Sequence, residues 1–104
     1  MSESVLRWCV EVYTLSAANR PGEAMDLVYE SLDLMLCKGL FSKVDSVLSV
    51  LEPTRLMPEI VVSILIATLA ARNLLPHRAL FIERARPVLD TEPEGAEELL
   101  RGLT

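Results

Sequence analysis

What most constrains this chain is the placement of its glycines and prolines. Most of the 4 Gly and 6 Pro residues fall in five short stretches: "NRPG" (19–22), "KG" (38–39), "EPT" (52–54), "NLLP" (73–76) and "DTEPEG" (90–95). These are start and stop signals for helices rather than hairpin turns between strands. The stretches between them run for about 10–16 residues, an ordinary helix length, and their apolar residues recur at helical spacing. Aromatic residues make up only 5% of the 104 residues while apolar residues reach 51%, a composition suited to a helical core and poor for a sheet. The expectation is one all-α domain over 1–104, with about six short helices whose short connections imply antiparallel neighbours.

Segment one, over 4–18, puts Val5, Trp8, Cys9, Val12 and Leu15 on one stripe and Leu6, Val10, Tyr13 and Ala17 on a second. Segment two, over 23–37, turns Met25, Val28, Tyr29, Leu32, Met35 and Leu36 inward and Glu23, Asp26, Glu30 and Asp33 outward. Segment three, over 42–51, aligns Val44, Val47, Leu48 and Leu51. Segment four, over 58–73, opens on Pro58 as first helical residue. Segment five, over 77–89, carries Pro87, which predicts a kink or stop near Ala85. Segment six, over 92–102, follows a capping box of Thr91 and Glu94.

Segment four raises the question of a membrane. From Ile60 to Ala71 only Ser63 and Thr68 are polar, but Glu59 and Arg72 close the run well short of the ~20 residues a spanning helix needs. A helix apolar on every side is expected at the centre of a soluble fold. Ser63 and Thr68 then bond back to the preceding helical turn.

A net charge of −5 disfavours nucleic acid and anionic membranes as partners. The amino terminus shows no basic region ahead of an apolar stretch, so the expected location is cytoplasmic, with Cys9 and Cys37 as reduced, mostly buried thiols.

Shifted by 34 residues, the chain partly overlays itself: Val28 falls on Val62, Leu32 on Ile66, Met35 on Leu69, Val47 on Phe81 and Leu48 on Ile82, and "CKGLFSK" falls on "ARNLLPH". An apolar helix, a Gly or Asn terminator and a second helix thus recur. This pattern resembles the tetratricopeptide repeat and related helical-hairpin solenoids. The resemblance implies hairpins at about 23–51 and 58–89, with 4–18 and 92–102 as capping helices. The positions that are small in that repeat hold Leu32, Val44, Ile66 and Arg78 here, and its closing proline is replaced by Leu56 and Asp90. The competing architecture is a closed bundle with helix 58–73 central, wrapped by the others.

No catalytic, cofactor-binding or metal-ligating constellation stands out. His77 has no second ligand at metal-binding spacing. A small thiol-dependent enzyme using Cys37 or Cys9 with His77 is the alternative from a different class. The acidic stripe of Glu23, Asp26, Glu30 and Asp33 is either a solvated helix face or a docking surface for a basic segment. The arginines around segment five, Arg72, Arg78, Arg84 and Arg86, read as surface charge balancing or as a complement to that stripe. The second stripe of segment one, Leu6, Val10 and Tyr13, exceeds what a small core can hide and points to self-association or to another protein as partner. The functional expectation is a non-enzymatic protein–protein interaction module: an adaptor, regulatory subunit or small inhibitor. A structural or assembly subunit of a larger complex is the neighbouring alternative.

Overall fold

The first two helix ends are closed by residues that can adopt a left-handed backbone. Gly39 has φ 71° and Asn19 φ 56°, and each sits just past a helix in the same double hydrogen bond. Arg20 N–H donates to Leu15 C=O (3.0 Å) and Asn19 N–H to Ser16 C=O (3.1 Å); Leu40 N–H donates to Met35 C=O (2.8 Å) and Gly39 N–H to Leu36 C=O (3.1 Å). This Schellman geometry satisfies carbonyls that a helix end leaves orphaned and turns the chain sharply.

The computed structural model describes residues 3–91, 98, 101 and 102. Over 3–91 it is all-helical: α1 (Glu3–Ala17), α2 (Pro21–Cys37), α3 (Phe41–Val50), α4 (Pro58–Thr68) and α5 (His77–Leu89), with 3-10 turns at Pro53–Arg55 and Leu69–Ala71. No described residue lies in a strand. Pro21 and Pro58 open α2 and α4, where a missing backbone donor costs nothing. The expected helix over 92–102 and the Thr91–Glu94 capping box lie largely outside the described residues. The Thr91 hydroxyl itself donates backward, to Val88 C=O at 2.6 Å.

Packing follows the apolar stripes. α2 makes its most extensive contact with α4, α3 packs on α5, and α1 lies against α2 and α3. The side chains of Val12, Val28, Leu32, Val44, Leu48, Ile64, Leu65 and Phe81 are fully buried in one continuous core. At about 1.5–3 kcal/mol for each large apolar side chain taken out of water, these contacts are the main stabilising term.

Five expectations change. Segment four is not one α-helix over 58–73, nor is it wrapped on all sides. It leaves α-geometry after Thr68, whose hydroxyl donates to Ile64 C=O (3.1 Å) and Leu65 C=O (3.2 Å), and tightens into the 3-10 turn Leu69–Ala71. Its inner face of Ile60, Val61, Ile64 and Leu65 is buried, but Ile66 is 44% exposed and Leu69 39%. Among the described residues α4 has α2 and α5 on its inner side and no helix over Ile66. Ser63 donates to Glu59 C=O at 2.9 Å, the back-bonding expected of it.

Asn73 does not repeat the left-handed terminator of Gly39; the chain there closes through Leu74 N–H to Ala71 C=O at 3.0 Å. Pro87 does not stop α5, which continues to Leu89. A proline this close to the helix end removes one backbone hydrogen bond, and the fully buried Leu89 offsets that loss. Tyr29, expected inward, is 37% exposed. Cys37, expected buried, is exposed, while Cys9 is buried as expected.

No helix among the described residues is long and apolar enough to cross a membrane.

Candidate interaction surfaces and the α3–α5 clamp

α1 carries two stripes because it has only one side to bury. Val5, Trp8, Cys9 and Val12 enter the core, while Leu6 and Val10, one turn apart on the opposite side, are 49% and 60% exposed. Shallow grooves flank Val10, one of ≈ 340 Å³ lined by Val10, Glu11, Thr14 and Leu15, the other of ≈ 300 Å³ running past Tyr13 and Ala17 to Arg55.

Tyr13, grouped with Leu6 and Val10 in sequence, is half-buried and already engaged. Its hydroxyl accepts Glu52 N–H at 2.7 Å, and the Arg55 guanidinium lies 4.2 Å above its ring. Ser16 Oγ accepts Met57 N–H at 3.0 Å. Both amides belong to the connection between α3 and α4, where no regular ladder would serve them. Tyr13 therefore fastens α1 to that connection and borders the open stripe without standing free in it.

The acidic stripe is as the periodicity placed it. Glu23, Asp26, Glu30 and Asp33 are all exposed along α2, and Glu23 pairs with Arg20. The α5 arginines do not complement it. Arg84 pairs with Glu52 (2.9 Å) and Arg86 with Glu83 (3.4 Å). Arg78, grouped in sequence with surface charges, is instead buried at 6% exposure, with Nε and Nη2 lacking hydrogen-bond partners. Burial, and then the charge of Arg72, push its pKa below the usual guanidinium value.

His77 belongs to a clamp that spacing along the chain could not reveal. As first residue of α5 it donates its backbone N–H to Asp45 Oδ1 (2.8 Å), while its Nδ1 stands 2.8 Å from Asp45 Oδ2. A carboxylate only accepts, so Nδ1 carries the proton. Asp45 thereby caps the positive end of α5 from a neighbouring helix. Seven residues after His77, Arg84 donates from Nη2 to Leu48 C=O (2.6 Å) and from Nη1 to Oε1 of Glu52 (2.9 Å), three and seven residues after Asp45. A guanidinium thus serves the carbonyl end of α3. Contacts running from Asp45–His77 to Glu52–Arg84 show that α3 and α5 lie side by side in the same direction.

The thiols differ in kind. Burial raises the Cys9 pKa, so little thiolate forms near neutrality. Cys37 opens onto a groove of ≈ 310 Å³ between α2 and the 3-10 turn, with Asp33, Phe41, Ala67, Ala70 and Leu74 among its lining. With a colorimetric disulfide reagent at neutral pH, one thiol per chain should react rapidly in the native protein and the second only on unfolding. Loss of the fast phase in Cys37→Ser assigns it; a fast phase that survives in Cys37→Ser contradicts the burial of Cys9.

Among the described residues no group of three His, Cys, Asp or Glu side chains could hold a metal ion. Set against known protein families, curated proteins and solved structures, the chain matches none.

Proposed function

We propose that this protein is a non-enzymatic interaction module that docks another protein along α1. The observation that carries this reading is the outward stripe of Leu6 and Val10, 49% and 60% exposed on a helix whose inner face is already spent in the core. Two large apolar side chains one turn apart, with grooves on either side, suit an amphipathic helix presenting anchors at i, i+3 or i+4 and i+7. The acidic face of α2 is a second contact in the same reading, for a basic segment of the partner.

The architecture supports it. That α2 packs on α4 and α3 on α5 is compatible with a stack of two helical hairpins, α2–α3 and α4–α5, the arrangement that the resemblance to helical-hairpin repeats implies. Such stacks present extended faces rather than enclosed pockets. An assembly subunit would use the same surfaces. The thiol-enzyme alternative has less support, because Cys9 is buried with a raised pKa and His77 is not among the residues lining the groove onto which Cys37 opens.

Val10→Glu tests the reading directly. At an exposed position it should change stability by no more than about 0.5 kcal/mol. In quantitative affinity capture from the native host it should remove at least one protein retained by the wild type, with a smaller loss for Glu30→Lys. An identical retained set for wild type and Val10→Glu excludes α1 as the docking face.

A further inference from the structure

We infer that α4 carries a self-complementary face through which two copies of this chain pair antiparallel about a two-fold axis at Ile66. This surface is separate from the α1 face, and the inference does not depend on the α1 reading.

The face is a single line of side chains. Glu59, Val62, Ile66 and Leu69 follow helical spacing, and the 3-10 turn Leu69–Ala71 brings Arg72 into register with Leu69, because side chains three apart eclipse in that tighter winding. Val62 is half-buried, Ile66 and Leu69 are 44% and 39% exposed, and Glu59 and Arg72 at the two ends are exposed. The opposite side of the same helix is buried against α2 and α5. An apolar strip of this kind on a helix already committed to the core calls for a cover.

Charge identifies the cover. The strip has a carboxylate at its start and a guanidinium at its end, and neither Glu59 nor Arg72 is in an ion pair with another described residue. Ile66 lies close to the middle of the strip, seven residues after Glu59 and six before Arg72. Laid antiparallel on a copy of itself, the strip places Glu59 opposite the other copy's Arg72 twice over, Val62 opposite Leu69 twice, and Ile66 opposite Ile66. A two-fold contact requires this self-complementarity, in which i meets j and j meets i. A parallel pairing would set like charges together at both ends. The strip is short of the roughly 800 Å² per partner of a standard interface, so the dimer is a weak, concentration-dependent one.

Sedimentation equilibrium of the purified chain over a wide concentration range, at low and at high salt, tests this. The wild type should show a monomer–dimer equilibrium weakened by salt. Ile66→Glu should abolish it with an unchanged far-ultraviolet circular dichroism spectrum. Glu59→Arg and Arg72→Glu should each weaken dimerisation by roughly tenfold or more, since each converts two attractive pairs into repulsive ones. Mixed one to one, these two variants should form a heterodimer, because the charges then match again at both ends. A wild type that remains monomeric throughout, dimers that survive Ile66→Glu, or a mixture no more associated than its components would overturn the proposal. Dimers lost in Val10→Glu but retained in Ile66→Glu would do so as well, by assigning self-association to α1.

Discussion

Phe81→Ala is expected to cost about 3–5 kcal/mol of folding stability, the largest effect of any single truncation considered. Phe81 is fully buried on α5, one of the largest side chains in the core. Its helix, α5, packs against α3, α4 and the Pro53–Arg55 turn. Truncation removes the transfer free energy of an aromatic ring and leaves a cavity between helices that are held by other contacts and cannot simply collapse. For a domain of this size, with total stability of about 5–15 kcal/mol, the midpoint of thermal unfolding should fall by roughly 15–30 °C. A fall below about 5 °C would place Phe81 at a boundary that repacks. Phe81→Leu, which retains most of the apolar volume, should recover more than half of the loss.

Asp45→Ala should cost about 2 kcal/mol for a different reason. No apolar surface worth counting is lost; the effect is that His77 loses two acceptors at once, one for its backbone N–H and one for Nδ1. A lost side-chain cap costs about 0.5–2 kcal/mol, and hydrogen bonds to a charged group are worth about 1.5–3 kcal/mol. Asp45→Asn is the informative companion. Its amide oxygen can still accept the backbone N–H, while its amide nitrogen can meet Nδ1 only as a donor, with the imidazole proton moved to Nε2, so it should recover at least about half of the loss. Chemical denaturation of wild type, Asp45→Ala and Asp45→Asn measures the series. Equal losses for the two variants would show that charge, and not the paired acceptors, holds the helix end.

Periodicity disclosed the helices and the inward faces of α1 and α3 because those depend on residues three and four apart. Gly39 announced its turn because a left-handed backbone has few tenants. The partners of Ser63 and Thr68 are legible in the sequence because back-bonding within a helix is local. The exposed pair Leu6 and Val10 was visible for a similar reason, since an apolar stripe in excess of one packing face is a property of the helix alone.

What was not visible is what depends on the third dimension. Asp45 and His77 are 32 residues apart, as are Glu52 and Arg84, and nothing in either pair's local sequence names the other. Ile66 and Arg78 stand opposite to what the sequence suggests for a related reason. The apolarity of its segment points the first inward and the charge of its neighbours points the second outward, while their exposure is decided by which helices stand nearby. Tyr13 shows the mixed case. Its half-buried position follows from the stripe, but its bond to Glu52 N–H could only be found in space.

The two bonds from α1 to the connection after α3 have a bearing on the order in which the chain folds. Tyr13 and Ser16 reach amides 39 and 41 residues further along, the longest separations among the side-chain hydrogen bonds described here. α1 can wind by itself, and the Asn19 turn can set its angle to α2, but its two anchors do not exist until residues 52–57 have taken their shape. Closing a loop of that length carries its entropic cost before any reward arrives. α1 is therefore fastened only once residues 52–57 are in place, and until α2 and α3 pack on it its inner stripe of Val5, Trp8, Cys9 and Val12 is apolar surface without a cover.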